Sequence, residues 1–158
     1  MIFVILGTQK FQMNRLLAQI DRLVASGTIG GPVLAQIGHS DYEPKNYPFR
    51  RFLDKAEFDR LISEAGVIVT HGGVSTIISA LKCRKRIVVC PRLARYGEHV
   101  DDHQREVARA FAKKGYLLCC DEGDDLAEAI ASCEAREFPE YVSQTNEITR
   151  IINEFLME

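Results

Sequence analysis

The stretch Ala65–Leu81, "AGVIVTHGGVSTIISAL", decides the fold. Gly66–Thr70 is a short β-branched run and reads as a strand. His71-Gly72-Gly73 breaks it. Val74–Cys83 then places apolar residues at helical spacing, despite its β-branched members. A strand, a glycine turn and a helix make half of a βαβ unit, and the rest of the chain repeats the pattern.

Upstream, Ile2–Leu6 is a continuous apolar run, as in a strand buried on both faces. Met13–Ala25 is a helix. Pro32–Ile37 and Phe49–Leu53 are strands, and Glu57–Ala65 is a helix. Downstream, Arg86–Cys90 is a strand stopped by Pro91. A helix over Asp101–Lys114 ends at Gly115. Tyr116–Cys120 is a sixth strand, and helices follow at Asp124–Cys133 and Thr145–Met157. Strands alternating with helices predict an α/β fold: a Rossmann-like, mainly parallel sheet of about six strands with helices on both faces. The 158 residues suit a single domain, 1–158, with one sizeable core.

The totals exclude several classes. A net charge of −2 offers no electrostatic case for nucleic acid. No apolar run approaches ~20 residues, so no spanning segment is expected. The first residues, "MIFVILGTQ", lack a basic leader and a cleavage site and are expected to be a strand, not a signal peptide. The five cysteines form no C-x-x-C pair and read as reduced core thiols of a cytoplasmic protein.

In parallel sheets, ligands sit beyond the carboxyl ends of the strands. Those ends carry Gly7-Thr8-Gln9, Gly38-His39-Ser40, His71-Gly72-Gly73 and the long loop from Pro91 to Gln104. "HGGVST" is the most informative. Two glycines let backbone approach a ligand closely, and the following helix offers free N–H groups and a positive dipole end to an anion. Ser75 and Thr76 add hydroxyls, and His71 a donor or a positive charge. Ser75 acting only as a helix cap is the alternative. The run matches neither G-K-[ST] nor G-x-G-x-x-G, which disfavours ATPase and dehydrogenase chemistry.

"GEHVDDHQREVARAF", Gly97–Phe111, leaves more than one reading open. His99 and His103 are four apart and would share a helix face. A metal would need further ligands, and no H-E-x-x-H pattern exists, so no metal site is expected. Asp101 with Gln104 has capping-box-like spacing. Alternatively Asp102, His103 and Gln104 hydrogen-bond a polyol, whose hydroxyls suit groups that donate and accept.

These blocks resemble the C-terminal, donor-binding half of family 28 glycosyltransferases of the GT-B fold. "FVILGTQKF", "QIGHSDYEP", "AGVIVTHGGVSTIISAL" and "VVCPRLARYGEHVDDHQREVARAF" carry the resemblance. It is closest to stand-alone versions of that half: the small subunit of the dolichol-linked UDP-N-acetylglucosamine transferase, and bacterial capsule or exopolysaccharide subunits. The resemblance implies that Gly7 and Thr8 line the crevice and that the segment around Phe52 and Leu53 holds uracil. It implies that His71, Gly72, Gly73, Ser75 and Thr76 grip the diphosphate, and that His103 and Gln104 read the sugar. Where many relatives carry a ribose-binding glutamate, this sequence has Ser79, which leaves that role to Glu98 or to another residue.

The implied reaction is inverting hexosyl transfer from a UDP-sugar to a lipid-linked acceptor, without metal or cofactor. Helix amides at Gly73–Ser75 would stabilise the leaving UDP, helped by Arg92 or Arg95 unless these are solvated loop charges. The general base would lie in a membrane-anchored, acceptor-binding partner, with His39 a weaker candidate. That partner would hold the chain at the inner face of the membrane. The stripe Ile148, Ile151, Ile152, Phe155 and Leu156 would dock on the partner or on its own sheet. A basic face near Lys10, Arg15 and Arg22 would lie near anionic lipid. Competing functions are a non-catalytic sugar-nucleotide-binding module and a scaffold for the partner.

Overall fold

The computed structural model describes residues 1–140. The predicted final helix and its apolar stripe lie outside the described residues. The strands are β1 (Ile2–Ile5), β2 (Val33–Gln36), β3 (Phe49–Arg50), β4 (Val67–Thr70), β5 (Arg86–Val89) and β6 (Leu118–Cys119). The helices are α1 (Asn14–Ala25), α2 (Lys55–Glu64), α3 (Val74–Lys82), α4 (His103–Lys113) and α5 (Leu126–Ala135). The six strands form one sheet in the order β3-β2-β1-β4-β5-β6, and every pairing is parallel.

The central strands are apolar throughout because both sheet faces are covered. Alternate residues divide between two cores. Val4 and Leu6 meet Leu16, Leu17 and Ile20 of α1 and Ile130 of α5. Phe3 and Ile5 meet Ile62 of α2, Ile77 of α3 and Phe111 of α4. The order reverses between β1 and β4, so their carboxyl ends open a crevice at the switch point.

The edge strands are shorter than their sequence suggests. β3 pairs only with β2, at Ala35–Phe49 and Gln36–Arg50. Beyond Gln36 the partner strand turns away at Gly38, whose φ is +56°. Leu53 therefore leaves the sheet, and Asp54 caps α2 by accepting from the Glu57 N–H at 2.8 Å. β6 likewise has only β5 beside it. The cysteines are all free, but only Cys90, Cys120 and Cys133 are buried; Cys119 is half-buried, and Cys83 is exposed just after α3, not a core thiol.

The loop from Asp41 to Tyr47 folds onto α1 through Asp21. Its buried carboxylate accepts from the Tyr42 hydroxyl at 2.6 Å, the Lys45 N–H at 3.0 Å and the Asn46 N–H at 2.8 Å. Burial alone raises the carboxyl's pKa, but these bonds outweigh it and hold it down at about 2, from 3.8. A carboxyl with a depressed folded pKa adds stability above its unfolded pKa and loses it as pH falls through the folded one. Asp21 should therefore supply about 2–3 kcal/mol at neutral pH, lost between about pH 4 and pH 2. Urea melts of D21N should show that loss already at pH 7, with a flatter acid limb than wild type.

Candidate functional site

The strand-end loops enclose a cleft of about 940 Å³. Gly7, Thr8 and Gln9 line it after β1, and Leu53, Lys55 and Phe58 line it beyond β3. His71 to Thr76 come from the β4–α3 turn, and His99, His103 and Gln104 from the long loop and the start of α4. Gln36, at the end of β2, lies at its floor and is buried. The sequence thus identifies Gly7, Thr8, Leu53, His71, Gly72, Gly73, Ser75, Thr76, His103 and Gln104 as neighbours, and the fold brings them together.

Local geometry explains the glycines. Gly7 has φ +76°, and a Cβ there would stand 2.9 Å from His71 Nε2. At Gly72 the constraint is close approach. A Cβ would stand 2.5 Å from the Gln104 carbonyl oxygen and 2.6 Å from its Cβ. At Gly73 it would overlap the His71 ring. Only bare backbone lets α4 pack against the start of α3.

α3 begins at Gly73 with no side-chain cap. By contrast, Asp54 caps α2 and Asp125 caps α5. Ser75 sits inside the helix rather than at its cap. The first-turn N–H groups of α3 are therefore left for an anion in the cleft.

His71 is buried, and its Nδ1 lies 3.1 Å from Gln104 Oε1. Burial, reinforced by the nearby Arg92 charge, pushes the imidazole down to about 3, although the Gln104 bond opposes the shift. His71 is thus neutral at physiological pH, not the positive charge the sequence allows. With Nδ1–H donated to Gln104, Nε2 keeps a lone pair and has no partner among the described residues.

Several expectations fail on position. Glu98 is not a ribose ligand. It is fully buried, and its carboxylate accepts from Arg15 Nη2 at 3.0 Å and from the Leu93 N–H at 3.0 Å. Arg15 is committed to that pair, so its charge is not free to contribute to the expected basic face with Lys10 and Arg22. Arg92 is neither solvated nor in the cleft; it is 1% exposed and donates to main-chain carbonyls. Arg95 is exposed and pairs with Glu122. His39 is exposed outside the cleft, its ring 5.2 Å from Phe52. Ser79 is exposed and does not line the cleft.

His99 and His103 do not share a helix face, because α4 starts only at His103. A short 3-10 turn, Ala94–Tyr96, and Gly97 at φ +70° precede it. His99 packs on Phe11 at 4.9 Å instead. The Asp101–Gln104 capping box is also not formed. Asp101 accepts from the His103 N–H at 3.1 Å, and Asp102 from the Ala94 N–H at 2.9 Å. Among the described residues, no group of three His, Cys, Asp or Glu is placed to hold a metal. Sequence reading overlooked Gln36, Lys55 and Phe58. Gln36 was accessible to it, since it ends a strand on the same edge.

The family model for the glycosyltransferase family 28 C-terminal domain matches residues 1–154. The chain belongs to this family. Over 82 residues it is 34% identical to "UDP-N-acetylglucosamine transferase subunit ALG13" of Eremothecium gossypii, a match covering 51% of this chain and 38% of that protein. The chain thus spans well under half the length of that curated relative. Among solved structures, ALG13 in solution superposes with a TM-score of 0.62 at 18% identity, covering 99% of this chain and 96% of that one. MurG of Acinetobacter baumannii gives 0.53 at 16% identity, with 98% and 49% covered. The glycosyltransferase of kitacinnamycin gives 0.59 at 15% identity, with 98% and 38% covered. At these identities the structural likeness establishes the GT-B-type fold of this family 28 domain. Among the described residues no helix is long and apolar enough to cross a membrane.

Proposed function

We propose that this family 28 domain is the donor-binding and catalytic subunit of a two-component, UDP-sugar-dependent glycosyltransferase. Its acceptor is lipid-linked, in capsule or exopolysaccharide synthesis. The observation that carries the reading is the uncapped α3 N-terminus facing the same cleft as Gly7, Thr8, His103 and Gln104. The named subunit of a UDP-N-acetylglucosamine transferase among its relatives supports the donor class.

In this reading the uracil lies between Leu53 and Phe58, and the diphosphate meets the amides of Gly73 to Ser75. The helix dipole and those N–H groups take up the charge that develops on UDP as the glycosidic bond breaks. Because the charge is met by backbone, transfer is expected to be metal-independent and to need no cofactor. His103 and Gln104 orient the sugar hydroxyls, and attack from the opposite face inverts the anomeric carbon. The neutral His71 is too weak a base for the acceptor hydroxyl. The base therefore comes from a membrane-anchored, acceptor-binding subunit, which holds this chain at the cytoplasmic face.

UDP should raise the melting temperature of the chain, and NAD and ATP should not. With its partner, the chain should transfer sugar from a UDP-hexose to a lipid-linked acceptor in the presence of EDTA. UDP binding without any transfer would favour the sugar-nucleotide-binding module instead.

A further inference from the structure

Arg92 is the largest fully buried side chain among the described residues. Its Nη2 donates to the Leu6 carbonyl and its Nη1 to the Phe11 carbonyl at 2.9 Å. Those carbonyls are the two feet of the loop that brings Gly7, Thr8 and Gln9 to the cleft. A side chain from the end of β5 thus clamps the loop that follows β1. Nη1 also lies 3.5 Å from the Glu98 carbonyl oxygen.

The charges beneath this loop do not cancel. Glu98 is the carboxylate of the cluster, and Arg15 holds it through Nε at 3.1 Å and Nη2 at 3.0 Å. Arg92 touches Glu98 only through its main chain. Among the described residues, two guanidinium groups share one carboxylate here, so one positive charge stays behind the cleft wall. Water screens a buried charge poorly. Its reach is evident at His71, a cleft residue that Arg92 helps keep unprotonated.

We infer that Arg92 is a positioning residue for an anionic donor: it fixes the Gly7–Gln9 loop and attracts the diphosphate from beneath without touching it. The inference rests on the reading of the cleft as a nucleoside diphosphate site. An arginine suits this role because its charge persists at any working pH and its planar fork reaches two carbonyls at once.

Titration calorimetry with UDP and with uridine separates charge from shape, because only UDP carries the diphosphate. R92M should weaken UDP at least 10-fold more than uridine, since each unit of diphosphate charge acting across roughly 12 Å at an effective dielectric of ~20 is worth about that factor. R92K, which keeps the charge but not the fork, should melt lower yet retain most of the preference for UDP over uridine. E98Q, which leaves more positive charge behind the wall, should increase that preference. Should R92M not fold, E98Q decides the matter. Equal losses of UDP and uridine in R92M, or an unchanged or smaller preference in E98Q, would make Arg92 a structural residue only. A wild-type chain that binds neither ligand would overturn the donor-site reading itself, and this inference with it.

Discussion

Gly72→Ala should weaken UDP binding at least 10-fold and lower stability by about 1–3 kcal/mol, the usual cost of overpacking. The reason is not backbone strain, since Gly72 has no positive φ. It is the 2.5 Å between an added Cβ and the Gln104 carbonyl oxygen. A flexible side chain could swing aside, but a main-chain carbonyl cannot move without its helix. α4 must therefore shift away from α3, and the cleft loses the packing that holds His71 beside Gln104. Calorimetry and a urea melt of the same sample measure both effects. Wild-type affinity in G72A would show that the helix contact does not shape the site.

Gln104→Ala should reduce sugar transfer about 100-fold or more, with a smaller effect on stability. Gln104 is 8% exposed, lines the cleft and accepts from His71 Nδ1. Truncation leaves a buried N–H without its partner, a cost of about 1–3 kcal/mol. Transfer suffers more because the sugar loses a group that both donates and accepts. Gln104→Glu is a sharper variant. It keeps the acceptor for His71 but places a negative charge beside the diphosphate. It should therefore weaken UDP as well as transfer. If Q104A transfers sugar at the wild-type rate with its partner, Gln104 has no sugar-reading role.

The sheet and most of the cleft were legible because both follow from local pattern. β-branched runs specify buried parallel strands, and a parallel sheet gathers its ligand contacts at one edge. Placing strand ends at Leu6, Thr70 and Cys90, each within one residue of the observed ends, was enough to bring Thr8, His71 and Gln104 together. The charged residues were not legible in the same way. Arg92 and Glu98 sit in a loop rich in polar residues, where solvated side chains are the ordinary expectation. Their partners, Leu6, Phe11 and Arg15, are more than 75 residues away in sequence. Only the fold reveals that both side chains point inward. His99 was misplaced for a different reason. Its spacing from His103 is helical, but Gly97 in a left-handed conformation delays the start of α4.

The proposed nucleoside diphosphate site lies where the α3 amides meet the β1 loop. Backbone amide NMR during a UDP titration tests it most directly. The largest shifts should fall on Gly7, Thr8, Gly73, Val74 and Ser75, while Gly30, Gly31 and Ala131 at the far edge of the sheet should stay unmoved. Saturable shifts confined to that far edge, or no shift at the α3 amides, would contradict it.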